Sequence, residues 1–288
     1  LARQVTRSAR QFVARRPRML QMKAEVGDLA ALLRDAPPFA IAISGGVDSM
    51  TLALIANEIR DDVLLVHAVS PAVPARARRR LHDYAERLNW RLEEIEAGEF
   101  EDGEYVANPY NRCYFCKRDL YGSIRSRTDR VIFSGTNVDD MGDFRPGLLA
   151  ARERSVRHPF VEASMTKQSV RDLASLLGAY SIAELPASPC LSSRIETGIA
   201  IDPVTLTAVD KIEQWIADTF DAHTLRCRVR KDRICIELDP ELLASIAQGQ
   251  KQQIEATVVA ELGADWEGRV LLEPYRMGSA FLPDGQPA

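Results

Sequence analysis

The amino-acid sequence lacks the features of a membrane protein, of a disulfide-stabilised protein and of a general nucleic-acid-binding protein. None of its apolar runs approaches the length that a membrane span requires, so we expect no membrane partner. Its five cysteines are an odd number, which argues against a disulfide framework and favours reduced thiols in the cytoplasm. Its four histidines show no zinc-site spacing, and its formal net charge of −4 makes nucleic-acid binding unexpected.

The chain does contain enough apolar surface for one large domain or two, because hydrophobic residues make up 46% of its 288 residues. Its pattern changes at Pro203. We predict a basic N-terminal arm or extension at 1–24, an α/β domain at 25–201 and a small α+β domain at 202–288. The arm is rich in arginine and acid-free before Glu25, so a transit peptide is the alternative interpretation.

Hydrophobic periodicity predicts an α/β fold with a doubly wound parallel sheet. Helical patterns alternate with apolar runs typical of buried strands at 39–43, 63–67, 90–95 and 131–134. Ligands of such sheets bind at the carboxyl ends of the strands. In the small domain we predict a helix at 204–220, two later helices and strands at 224–230, 233–238 and 269–275. A basic helix is predicted at 75–88, and we interpret its arginines as a solvated face: Arg76, Arg78, Arg79 and Arg80.

The first predicted strand ends in the string Ser44-Gly45-Gly46-Val47-Asp48-Ser49, which a helical pattern follows. Paired glycines let backbone N–H groups approach an anion, and a helix start adds unpaired donors and the positive end of its dipole. Serine hydroxyls can donate as well, and Asp48 is suited to the Mg²⁺ that phosphates carry. An ordinary strand–turn–helix junction is the alternative. The string resembles the PP-loop of ATP pyrophosphatases, which implies ATP. The fourth strand ends in a second candidate for this site, Gly135-Thr136-Asn137.

The cysteines fall into three settings. Cys113 and Cys116 form a single C-x-x-C, whose spacing fits half a zinc site, a redox pair or part of an iron–sulfur site. Cys190 lies in an irregular segment with prolines, serines and an arginine, which favours a reactive thiolate. Cys227 and Cys235 lie on predicted strands, so we expect them in the core.

An ATP site and three thiols together indicate one chemistry. Transfer of AMP to a carboxylate or an enol creates a leaving group, which a soft sulfur nucleophile displaces. The sulfur comes from a cysteine side chain or from a [4Fe–4S] cluster on Cys113, Cys116 and Cys190, whose fourth iron is open to external sulfide. The alternative is a structural zinc ion that is bound by Cys113 and Cys116 and stabilises their loop.

A series of motifs between about Ala31 and Ser279 resembles the LarE family of ATP-dependent sulfur transferases. The matching stretches are Ser44 to Ser49, Arg112 to Lys117, Gly135 to Asp140, Asp143 to Leu148, Cys190 to Ile195, Arg226 to Arg228 and Tyr275 to Gly278. The resemblance implies synthesis of the nickel-pincer nucleotide cofactor of lactate racemase, in which a carboxylate of a pyridinium dicarboxylate mononucleotide is adenylated and its oxygen replaced by sulfur. In some members a single cysteine gives up its sulfur and becomes dehydroalanine. This chain is similar to other members, whose three cysteines hold a cluster.

The resemblance also implies a role for each matched side chain. ATP phosphates and Mg²⁺ are bound by Ser44, Gly45, Gly46, Asp48 and Ser49, with Asp48 on the metal. The cluster is ligated by Cys113, Cys116 and Cys190. The substrate phosphate or the developing negative charge is held by Lys117, Ser193, Arg194, Arg226 and Arg228, with Glu213 as a polar neighbour, and Lys117 is counted among the catalytic residues. The implied partners are a small nucleotide-like substrate, sulfide or another sulfur donor, and further copies of the chain in a homo-oligomer.

Two departures from the family pattern keep other functions open. Ile195 continues into Glu196-Thr197-Gly198 instead of the usual proline, tyrosine and glycine, and residues 70–74 lack the usual acidic and polar stretch. The alternatives are a tRNA thiolase, an amidotransferase or synthetase that uses ammonia, and a non-catalytic nucleotide or metal sensor. Against the tRNA thiolase stand the negative net charge and Val47, where those enzymes carry lysine.

Overall fold

The structure is a computed structural model that describes residues 24–142 and 145–276. These residues form two compact units. The first comprises residues 24–69, 76–97, 117–142 and 145–185, and the second comprises residues 70–75, 98–116 and 186–276. The predicted basic arm, apart from residue 24, and two pieces of the family motifs (residues 143–144 and 277–278) lie outside the described residues. In the part of the chain that the structure describes, no helix is long and apolar enough to cross a bilayer.

Strands and helices alternate along the chain up to residue 185, as the periodicity predicts. The strands are β1 Phe39–Ala42, β2 Leu64–Ala68, β3 Leu92–Ile95 and β4 Val131–Ser134. The helices are α1 Ala24–Asp35, α2 Val47–Ile59, α3 Ala75–Leu88, α4 Gly103–Val106, α5 Arg112–Arg127, α6 Pro146–Glu153, α7 Pro159–Glu162, α8 Lys167–Leu176 and α9 Tyr180–Ala183. A 3-10 helix follows β4 at Val138–Met141.

The first unit is built on a parallel sheet with the strand order β3-β2-β1-β4. Phe39 and Ile41 of β1 pack into one apolar core, and Ala40 packs into a second core on the other face. Burial on both faces is why these strands are continuous apolar runs. The strand order reverses between β1 and β4, which is where ligands bind in open α/β sheets. The predicted parallel α/β fold is confirmed.

Local signals predicted several element bounds closely. The basic helix and the fourth strand have the predicted bounds, 75–88 and 131–134. Thr166 caps α8 by accepting a hydrogen bond from the Ser169 backbone N–H at 3.1 Å. Such caps act within one helical turn, so they can be recognised without knowledge of the tertiary fold.

The second unit contains a small mixed sheet and its covering helices. Its remaining elements are α10 Pro203–Phe220, β5 Leu225–Val229, β6 Ile234–Leu238, α11 Pro240–Ser245, α12 Gln248–Leu262 and β7 Val270–Pro274, with 3-10 helices at Leu191–Arg194 and Ala264–Trp266. β6 is antiparallel to β5 and parallel to β7. Cys227 and Cys235 are fully buried, which confirms their prediction as core residues, and burial raises the pKa of both thiols.

Segments that precede residue 202 belong to the second unit as well. The Ile201 backbone N–H donates to the Val106 carbonyl at 2.8 Å, and the Gly198 N–H donates to the Asn108 carbonyl at 2.9 Å. The buried Asn108 amide donates to the carbonyls of Glu196 and Ile199, each at 2.9 Å. This unit is therefore discontinuous in sequence, and the boundary at residues 201–203 stays a prediction.

Candidate functional site

The loop between β1 and α2 forms a compact turn closed by its own serines. The Ser44 backbone N–H donates to Ser49 Oγ at 3.1 Å, and the two serine hydroxyls lie 3.2 Å apart. Among the described residues no side chain caps α2 at Gly46. The N–H groups of the first turn of α2 are therefore suited to an anion at the helix start.

Two predicted glycines are required here by space. Gly45 has a φ of 78°, and a Cβ at this position would lie 2.6 Å from the Ala77 carbonyl oxygen. A Cβ on Gly135 would lie 2.7 Å from the backbone nitrogen of Ser49. The end of β4 thus packs directly against the first turn of α2, and the structure brings the two predicted nucleotide segments together.

Asp48 bonds to side chains of two distant segments. Its Oδ1 accepts from Asn137 Nδ2 at 3.2 Å, and its Oδ2 pairs with Lys167 Nζ at 2.5 Å. The Lys167 backbone N–H also donates to Asp139 Oδ2 at 2.9 Å. Asn137 was predicted for this site, whereas Lys167 was not.

Thr136 lies at the end of a short chain of polar side chains. Its hydroxyl is 3.0 Å from Ser134 Oγ, which lies 2.7 Å from His158 Nδ1. Burial lowers the pKa of His158, which favours its neutral imidazole. A neutral imidazole can accept from or donate to the Ser134 hydroxyl and so orient it towards Thr136.

The three cysteines that were predicted to act together all belong to the second unit. Cys113 and Cys116 lie at the start of α5, where a spacing of three residues places them on one helix face. Both are partly buried, whereas Cys190 is exposed and occupies the N-cap position of the 3-10 helix Leu191–Arg194. All five cysteines of the chain are thiols rather than disulfides.

A buried tyrosine links the two cysteine-bearing segments. The Tyr105 hydroxyl lies 2.6 Å from Ser192 Oγ, and the residue is 1% exposed. Burial raises the pKa of Tyr105, and the nearby Cys190 and Cys116 thiols raise it further. Cys190 and Cys116 therefore both lie within electrostatic reach of the same hydroxyl.

Arg194 fixes the loop that presents Cys190. Its guanidinium makes a two-pronged ion pair with Glu213, with N–O distances of 2.9 and 2.8 Å, and donates to the Pro189 carbonyl at 2.9 Å. Ser193 Oγ donates to the Cys190 carbonyl at 2.7 Å. Burial opposes the charge of Arg194, but Glu213 more than offsets it, so the pKa of Arg194 is raised.

Arg228 is held in a comparable way. It pairs with the buried carboxylate of Glu237 at 3.0 Å and donates to the Ser193 carbonyl at 2.7 Å. Its pKa is lowered, chiefly because burial disfavours the charged form. Arg228 therefore supports the Cys190 loop from β5.

Arg226 differs from these two arginines because it has no carboxylate partner in the described part of the chain. It donates to the Ala187 carbonyl at 2.8 Å and lies 5.4 Å from the centre of the Tyr275 ring. Burial and the positive charge of Arg194 lower its pKa. A cation in this state is well suited to an external anion.

The remaining predicted side chains are placed as follows. Lys117, on α5, lies 5.8 Å from the centre of the Tyr121 ring. Glu196, where the chain departs from the family pattern, is buried and lies 3.6 Å from Arg230. Within residues 24–142 and 145–276, no three His, Cys, Asp or Glu side chains are close enough to hold one metal ion.

Comparison with known proteins places the chain in a family. No family model matches it. An uncharacterized protein of Synechocystis is 33% identical over 213 residues, which is 72% of this chain and 79% of that protein. A protein of Methanocaldococcus jannaschii is 26% identical over 74% of this chain and 82% of its own length. The pyridinium-3,5-bisthiocarboxylic acid mononucleotide synthase of Lactiplantibacillus plantarum is 26% identical over 76% of this chain and 81% of its own length. The chain belongs to the LarE-like family.

Sequence reasoning missed three polar side chains of this LarE-like chain. Tyr105 gave no recognisable signal. Lys167 opens α8, where a cation opposes the helix dipole, and this unfavourable position is a sign of another role. Arg80 was interpreted as part of a solvated face, yet it lies three residues after the buried Ala77 and four before the buried Tyr84. This spacing places Arg80 towards the buried side of α3, where its Nη1 donates to the Gly45 carbonyl at 2.6 Å.

Proposed function

We propose that this protein is an ATP-dependent sulfur transferase that converts a carboxylate of a small nucleotide-like acceptor into a thiocarboxylate, as in nickel-pincer nucleotide synthesis. The observation that carries the proposal is the exposed thiol of Cys190 on a loop fixed by the buried Arg194–Glu213 pair. Membership of the LarE-like family and the phosphate-binding geometry of the loop after β1 support it.

The reaction needs ATP because a carboxylate oxygen is a poor leaving group. In the first step the carboxylate oxygen attacks the α-phosphorus of ATP, an acyl-AMP ester forms and pyrophosphate leaves. In the second step a sulfur nucleophile attacks the carbonyl carbon, and AMP leaves with the original oxygen. The products are AMP, pyrophosphate and a carbon–sulfur bond in place of a carbon–oxygen bond.

We assign ATP binding to the loop after β1 and to the end of β4. The N–H groups at the start of α2 and the hydroxyls of Ser44 and Ser49 would bind phosphate oxygens. Asp48 would bind Mg²⁺, to which its carboxylate oxygens are suited once Lys167 releases one of them. Bound Mg²⁺ would neutralise phosphate charge, and Thr136 and Asn137 would line the same site.

We assign binding of the acceptor's phosphate to Arg226. Arg194 and Arg228 already pair with Glu213 and Glu237, so their charge is largely compensated. Arg226 makes no ion pair with a described carboxylate, and arginine binds phosphate with two parallel hydrogen bonds. Ser193 and Lys117 are further proposed contacts of the acceptor.

A [4Fe–4S] cluster on Cys113, Cys116 and Cys190 remains our proposal for the sulfur source. Soft thiolates are the preferred ligands of such clusters, and Cys113, Cys116 and Cys190 all belong to the second unit. A cluster binds each thiolate at a different iron, so its ligands stand further apart than those of a single ion. The bound cluster would supply one iron with an open position for sulfide.

The decisive experiment separates adenylation from sulfur transfer. With the bis-carboxylate mononucleotide, ATP, Mg²⁺ and sulfide, we expect the wild-type protein to release pyrophosphate and to form a thiocarboxylate that mass spectrometry detects. Cys190→Ala should still release pyrophosphate but lose at least about 100-fold in thiocarboxylate formation, since the thiol acts only in the second step. Cys235→Ala, which removes a core thiol of the same unit, should keep both activities.

Three outcomes would count against parts of this proposal. Undiminished sulfur transfer by Cys190→Ala would remove the role of that thiol. ATP binding without pyrophosphate release would favour a nucleotide sensor. A colourless protein with neither iron nor labile sulfide after anaerobic purification would remove the cluster and leave the cysteine side chain as the sulfur source, whereas about four irons per chain would support the cluster.

A further inference from the structure

The proposed phosphate site has too little positive charge of its own. ATP and the pyrophosphate that leaves it carry several negative charges, yet residues 44–49 contribute only one ionisable side chain, the acidic Asp48. Lys167 is a cation at this site, but it pairs with that same carboxylate. Bound Mg²⁺ would neutralise only part of the charge of a triphosphate, so the loop needs a further cation beside it to balance the β- and γ-phosphates.

Arg80 is placed to supply that charge. Its Nη1 donates to the carbonyl of Gly45 at 2.6 Å, inside the loop that is proposed to bind phosphate. Packing holds α3 close to this loop, because the backbone of Ala77, one helical turn before Arg80, lies directly against Gly45. This is the one hydrogen bond of Arg80 to the part of the chain that the structure describes, so most of its N–H donors remain for a ligand.

The charge of Arg80 is also uncompensated. Its neighbour Arg78 on the same helix pairs with Glu94 at 2.8 Å, whereas Arg80 makes no ion pair with any described residue. Burial lowers the pKa of Arg80, and no carboxylate opposes that effect. A guanidinium that is partly withdrawn from water and lacks a counter-ion gains more from a bound phosphate than a solvated one does.

We propose that Arg80 binds the β- and γ-phosphates of ATP and the pyrophosphate that adenylation releases. The inference rests on the proposed binding of ATP at the loop after β1. It adds that α3, an element outside the loop motif, discriminates a triphosphate from a monophosphate. AMP, which lacks these phosphates, does not need Arg80.

The test compares three ligands on two arginine variants by calorimetric titration of the full chain with Mg²⁺ present. Arg80→Gln should weaken the binding of ATP and of inorganic pyrophosphate at least tenfold, while the affinity for AMP stays within twofold. Arg79→Gln removes the same charge one residue away, at an exposed position, and should leave all three affinities unchanged. Arg80→Lys, which keeps the charge but not the planar fork, should show a smaller loss for pyrophosphate than Arg80→Gln.

Each contrary result has its own meaning. Wild-type affinity of Arg80→Gln for pyrophosphate would overturn the inference. An equal loss for AMP and for pyrophosphate would also overturn it, because it would show that Arg80 only supports the loop. If Arg80→Gln does not fold, Arg80→Lys decides by the same comparison of AMP with pyrophosphate. If the wild-type protein binds neither ATP nor AMP, the proposed function fails instead.

Discussion

At the scale of single residues, Gly135 shows how the absence of one methyl group can set the shape of a site. The glycine directly follows β4, and a Cβ built on it would lie within 3.0 Å of backbone atoms of Asp48 and Ser49 at the start of α2. A side chain here would meet backbone atoms, which cannot rotate away as the end of a flexible side chain can. The close approach of β4 to α2 therefore depends on glycine itself.

We predict that Gly135→Ala weakens nucleotide binding and lowers stability. The added Cβ would lie 2.7 Å from the Ser49 nitrogen, so the loop must shift. Overpacking of this kind costs about 1–3 kcal/mol of unfolding free energy. The measurements are urea unfolding and calorimetric titration with ATP.

The matched control for this prediction is Gly142→Ala. A Cβ at Gly142 would meet no described residue within 4 Å, and Gly142 lies in the same unit. The Gly142→Ala substitution should change the free energy of unfolding by less than about 0.5 kcal/mol and leave the affinity for ATP unchanged. Equal effects of the two substitutions would show that the loop does not need the close approach.

At the scale of elements, α3 has two different polar faces. One face meets β3, where Arg78 and His82 both contact the carboxylate of Glu94 at 2.8 Å. The other face carries Arg80 to the loop after β1. The same arginine run thus includes a surface ion pair and a candidate ligand contact, and only the position along the helix separates them.

The Glu94 cluster predicts a pH dependence of stability. Hydrogen bonding from Arg78 is the main reason that the pKa of Glu94 falls to about 2, from 4.5. Because the folded-state pKa is depressed, the stabilisation is present above about pH 4.5 and is lost as the pH falls towards 2. We therefore expect Glu94→Gln to lower the unfolding free energy by about 0.5–1 kcal/mol at pH 7, since the pair is partly exposed, and by almost nothing near pH 2.

Chemical denaturation of the two proteins across this pH range measures the difference. Glu93→Gln is the control, because Glu93 pairs with Arg91 at 3.1 Å on a more exposed surface. If Glu94→Gln lowers the unfolding free energy by the same amount at pH 7 and near pH 2, the ion-pair explanation is contradicted.

At the scale of the whole molecule, burial sorts five chemically identical thiols into different classes. Cys190 is exposed, Cys113 and Cys116 are partly buried, and Cys227 and Cys235 lie in the interior of the second unit. A cysteine reacts when a reagent can reach it and when its pKa is low enough for the thiolate to form. Burial blocks access to the two interior thiols and raises their pKa values.

Alkylation of iron-free protein with a maleimide should reveal these classes by mass spectrometry. We expect Cys190 to react first, and Cys227 and Cys235 to react only when the protein unfolds. Addition of denaturant should expose all five cysteines, which serves as the internal control. Rapid labelling of Cys227 in the native protein would mean that the core of the second unit opens readily.

The sequence by itself determined the features that depend on neighbours along the chain. Period-two and period-3.6 patterns predicted the strands and helices of the parallel sheet, and the glycine string after β1 gave the prediction of a phosphate-binding loop. These signals are local because backbone geometry repeats within a few residues. The family motifs likewise pointed to Cys190 and Arg194 as stretches of sequence, without their contacts.

Only the tertiary structure decided which distant side chains meet. Lys167 reaches Asp48 across 119 positions of the chain, Tyr105 reaches Ser192 across 87, and Arg80 reaches Gly45 across 35. Arg194 and Arg228 pair with carboxylates, whereas Arg226 makes no ion pair within residues 24–142 and 145–276. No local pattern encodes such pairings, because they depend on how the chain returns on itself, and a cation's charge is available to a ligand only where folding has brought no acid beside it.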